Sequence, residues 1–61
     1  MMNFVFTSTD KPSVTLPEDK ARALMLQQFT ADSVDIALGL ASMGGKAKLT
    51  LKGVTVTITR E

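Results

Sequence analysis

Asp32 and Asp35 are the residues of this chain that come nearest to a catalytic pair. Three positions apart on a helix, they share a face, and paired carboxylates can divide general acid and base work or, with a substrate phosphate, hold Mg²⁺. The inventory around them is thin. The 61 residues include no histidine and no cysteine, which excludes disulfides, thiolate zinc sites and imidazole metal sites. A base would have to be a carboxylate or lysine, and a nucleophile a Ser, Thr or Lys. The plainer reading is that both acids favour the positive end of a helix dipole. Gly44-Gly45-Lys46 has the look of a phosphate loop, but that loop needs G-x-x-x-x-G-K-[ST] between a strand and a helix. Here the glycines end a helix and precede a strand. No catalytic residue, cofactor or metal ligand is assigned, and an enzyme is not expected.

A second chemistry is phosphate contact. Lys46, Lys48, Lys52 and Arg60 fall in residues 46–60 among threonines, and ammonium and hydroxyl groups are what phosphate contacts are made of. Helix, short turn, helix and hairpin is also the layout of a winged helix-turn-helix, a likeness of layout only. Against it, the second helix presents Asp32, Ser33, Asp35, Gly39 and Ser42, with nothing suited to reading base edges. No aromatic falls on the lysine–threonine face to stack a base, and the net charge is only +1. Nucleic-acid binding through these four cations is the alternative expectation.

The feature that most needs explaining is apolar. On a helical wheel of residues 31–43, Val34, Ala37, Leu38 and Ala41 form one stripe, and Ile36, Leu40 and Met43 form another beside it. A surface helix needs an apolar stripe somewhat over ~100° wide, and this one covers roughly twice that. A 61-residue domain without covalent or metal staples sits near the margin of independent stability. The surplus is therefore expected to be covered by another molecule, a second copy or a protein partner, with Ile36, Gly39, Leu40 and Met43 as the interface. An open sheet edge could also accept a strand from another chain. The expected role is a small non-enzymatic interaction module, a homodimeric regulator or inhibitor of a larger protein.

These residues must be positioned by a few short elements. Residues 46–60 alternate apolar and polar with period two, so a turn at Lys52-Gly53 sets Leu51 against Val54, Leu49 against Val56 and Ala47 against Ile58, all on one face. Gly53 supplies a positive φ; Lys52 is not an ideal first turn residue, which leaves room for a glycine bulge. Residues 2–8 read as a strand with Met2, Phe4 and Phe6 on one face. Residues 13–16 read either as a short strand returning along the first or as an extended lead into a helix. Thr15 and Glu18 have capping-box spacing with Pro17 in the first turn of a helix over 17–28. Thr30 is the candidate N-cap of a helix over 31–43, which Gly44-Gly45 ends.

The expected fold is a single α+β domain, residues 1–61, in which the N-terminal strand and the C-terminal hairpin form a small antiparallel sheet packed against the two helices. Its core would hold Phe4, Phe6, Leu24, Met25, Phe29, Val34, Leu38, Leu49, Leu51, Val54, Val56 and Ile58. The N-terminus lacks the pattern of a signal peptide and no window suits a membrane span, so a soluble cytoplasmic protein with no membrane partner is expected.

Overall fold

A computed structural model of the chain describes residues 2–61, with Leu51 described by its backbone alone. The elements run β1 (Asn3–Ser8), β2 (Lys11–Pro17), α1 (Glu18–Leu26), α2 (Ala31–Ser42), β3 (Ala47–Leu51) and β4 (Val54–Arg60). The strands form one antiparallel sheet in the order β2-β1-β4-β3. Both helices lie on one face of it, α1 over β1 and β2, α2 over β4 and β3. The chain is α+β, with the N-terminal strand beside the C-terminal hairpin.

Alternation along the strands sorts the side chains into two layers. Phe4 lies between Leu16 and Arg60, and in the next row Val14, Phe6, Ile58 and Ala47 lie abreast. These rows face the helices. Phe4, Ile58 and Ala47 are buried there beside Ala21 and Met25 of α1 and Val34, Ala37, Leu38 and Ala41 of α2. The small alanines let the helix backbones approach the sheet closely. The opposite face carries Val5 and a field of hydroxyls, among them the Thr7–Ser13 pair at 3.1 Å and the Thr50–Thr55 pair at 3.2 Å.

The β3–β4 hairpin has the register that its alternation predicts, with Leu51 opposite Val54, Leu49 opposite Val56 and Ala47 opposite Ile58. Lys52 (φ 52°) and Gly53 (φ 81°) both adopt positive φ, the signature of a two-residue type I′ turn rather than a bulge. α2 starts where Thr30 Oγ1 accepts a hydrogen bond from the Ser33 amide at 3.2 Å. It ends in a Schellman motif: Gly44, at φ 90°, donates to the Ala41 carbonyl, and Gly45 donates to that of Leu40.

Other expectations change. The second strand is not confined to 13–16 but runs from Lys11 to Pro17. Pro12 is tolerated because β2 is an edge strand with a register shift opposite Thr7, where a missing N–H disturbs no ladder. Strand pairing then reaches Pro17, which sits opposite Asn3, so the proposed capping box does not form. Pro17 is the N-cap itself, without a side-chain bond, and Thr15 remains in the strand. Leu24 and Val54, expected in the core, are exposed, while Phe6, Phe29, Leu49 and Val56 pack only partly buried against it. The placement of the Leu51 side chain lies outside the described residues.

Candidate interaction surface

The outward side of α2 is apolar where a solvated helix would be polar. Ile36 is 72% exposed, Met43 81% and Leu40 43%. Ile36 and Leu40 lean to the β3 side, where they line a shallow groove with Ser33, Ala37, Ala47, Lys48 and Leu49. Leu40 also packs over Gly45, where an added Cβ would stand 3.0 Å from Leu40 Cδ1. Met43, the helix C-cap, continues the ridge past the last turn. Gly39 stands apart from them, on the flank facing α1, beside Asp35, Leu38 and Ser42. A Cβ at Gly39 would meet no atom within 4 Å, so nothing inside this chain demands a glycine there. The structure thus brings Ile36 and Leu40 together, with Met43 at their end, and sets Gly39 on the other side of the ridge.

The groove is bounded by β3, one of the two edges of the sheet. The turn makes Leu51 and Val54 a hydrogen-bonded pair, and such pairs alternate along an antiparallel ladder. Leu51, Leu49 and Ala47 therefore spend their backbone groups on β4, whereas Lys48 and Thr50 turn their N–H and C=O groups to the open edge. The helix ridge and the unpaired backbone run side by side.

The four cations proposed for phosphate contact do not form one cluster. Lys46 and Lys48 are exposed near the start of β3 and Lys52 is exposed in the turn. Arg60 falls in the row of Phe4, on the helix-facing side, and its guanidinium donates to the Ser42 carbonyl at 3.2 Å. It closes the C-terminal end of α2 onto β4. The hairpin itself is half of the four-stranded sheet, with one face under α2, and does not project as a separate wing.

Asp32 and Asp35 also part company. Asp32 is in the first turn of α2, while Asp35 pairs with Arg22 of α1. Arg22 in addition lies 3.9 Å from Glu18, one turn earlier on its own helix. Sequence reading gave Arg22 no role; the signal available was that α1 carries two cations, Lys20 and Arg22, while the charged residues of α2, Asp32 and Asp35, are both acidic. Among the described residues no three His, Cys, Asp or Glu side chains gather as a metal site would require. No described helix is long and apolar enough to cross a membrane.

A second apolar hollow lies at the hairpin-tip end of the sheet beyond the C-terminal end of α1, lined by the exposed Val14, Leu24 and Val54 and the half-buried Phe6 and Val56. It adjoins the space under Phe29 and Leu49. Here the flanking edge is β2, which the Pro12 bulge interrupts.

No protein-family model, curated protein or solved structure matches the chain.

Proposed function

We propose that the protein is a small non-enzymatic interaction module that works as a homodimeric regulator or inhibitor of a larger protein. The observation that carries this reading is the exposure of Ile36 and Met43, 72% and 81%, on a helix whose inner side is already fully used by the core. Two large apolar side chains on one ridge, with Leu40 beside them, form a contiguous patch of the kind that marks a contact surface. Ile36, Leu40 and Met43 form its centre, and Gly39 borders it on the α1 flank. Sedimentation at micromolar to millimolar concentration tests the reading: the wild-type chain associates, and Ile36→Asp or Leu40→Asp disperses it with the far-ultraviolet spectrum kept. A wild-type chain that stays monomeric at millimolar concentration overturns self-association.

One observation favours a second reading, nucleic-acid binding. Lys46, Lys48 and Lys52 are exposed along one side of a hydroxyl-rich hairpin and take part in no ion pair among the described residues. A mobility shift on random duplex that weakens steeply with salt and disappears in a Lys46/Lys48/Lys52 triple alanine variant would support it. Arg60, engaged with Ser42, would contribute little.

A further inference from the structure

We propose that the molecule covering the outer face of α2 is a second copy docked edge to edge along β3, so that two four-stranded sheets join into one of eight strands with the two α2 helices side by side above the seam. This rests on the reading of α2 as a contact surface and adds how it is used.

Three observations lead to it. The first is the choice of edge. β2 is bulged and carries Pro12, devices that blunt an edge, while β3 pairs with β4 in regular register from Ala47 to Leu51. The second is spacing. α2 packs over both β3 and β4, which sets its axis above the gap between them. Across an antiparallel β3–β3 seam, strands about 4.8 Å apart would leave the two α2 axes about 10 Å apart, the separation of packed helices. Ile36 and Leu40, on the β3 flank, are the side chains that would fill that space. The third is register. Lys48 and Thr50 hold the outward backbone groups, and centring the seam on Leu49 sets Lys48 across from Thr50 of the other copy. Centring it on Lys48 instead sets the two Lys48 side chains directly against each other within the strand, and centring it on Thr50 sets Lys48 against Lys52. Centring on Leu49 leaves only Lys46 facing Lys52, at positions that flank β3 rather than lie in it.

A five-residue strand edge and a twelve-residue helix flank give a footprint of about 500 Å² per copy, near the lower limit for a specific interface. The dimer is therefore expected in the micromolar range rather than the nanomolar. Lysines 46, 48 and 52 of the two copies converge along the seam, so added salt strengthens association. Nucleic-acid binding has the opposite salt dependence.

Amide hydrogen exchange on the wild-type chain tests the seam. Raising the concentration from a few micromolar to one millimolar slows exchange at Lys48 and Thr50 at least tenfold, with little change at the already paired Leu49. Thr50→Pro removes an outward N–H, keeps the monomer fold and weakens association at least tenfold. If Ile36→Asp disperses the dimer while Thr50→Pro and the two amides report no change, strand pairing is overturned and the apolar contact surface stands. If the wild-type chain never associates, both fail. Should Thr50→Pro unfold the chain, the wild-type exchange data still decide.

Discussion

Phe4 is 1% exposed, between Leu16 and Arg60 on its neighbouring strands and beneath both helices. Phe4→Ala would leave a cavity that short, rigidly paired strands cannot close, at a cost of about 3–5 kcal/mol. That is comparable to the entire stability a domain of this size draws from one core, so the variant should be largely unfolded by circular dichroism at 25 °C. Gly44 acts through backbone geometry instead. At φ 90° any Cβ is strained, and Gly44→Ala should cost about 1–2 kcal/mol in urea denaturation. Arg22 binds α1 to α2, but its side chain and that of Asp35 are 38% and 63% exposed. Solvent screening limits Arg22→Ala to less than about 0.5 kcal/mol. Single residues were legible where geometry is local: Thr30 as an N-cap and Gly44 as a stop follow from their neighbours alone. The roles of Arg22 and Arg60 were not, because each partner lies on another element, Asp35 and the Ser42 carbonyl.

The hairpin was the most legible element, since period two and one well-placed glycine leave a single register that keeps Ala47, Leu49, Val56 and Ile58 on the same side. β2 was the least, because its proline reads as a stop and only its position at the sheet edge, beside a bulge, permits a seven-residue strand. Which apolar side chains the helices reach was equally hidden. α1 is nine residues long and ends at Leu26, so it stops short of the hairpin tips and leaves Leu24 and Val54 outside the core. Gly39 offers a prediction about α2. With no atom within 4 Å of its missing Cβ, Gly39→Ala should stabilise the chain by about 0.5–1 kcal/mol, read as a higher Tm. It should leave association within a factor of two or three, because β3-edge docking uses the opposite flank. Lost association in this variant would move the contact to the α1 side.

At the scale of the molecule, a chain of 6.5 kDa with two uncovered apolar surfaces gains stability from anything that covers one of them. Its Tm should rise with protein concentration and, for the lysine-lined seam, with salt. The hollow around Phe6, Val14, Leu24 and Val54 is the competing surface, and it has no regular strand edge beside it. Contacts between copies can be observed directly by mixing isotope-labelled and unlabelled chains and recording filtered NOE spectra at millimolar concentration. Cross-peaks between copies from the Ile36, Leu40 and Met43 methyls are expected, together with contacts across Leu49. Their absence, or intermolecular peaks confined to Val14, Leu24 and Val54, would contradict a dimer built on α2 and β3.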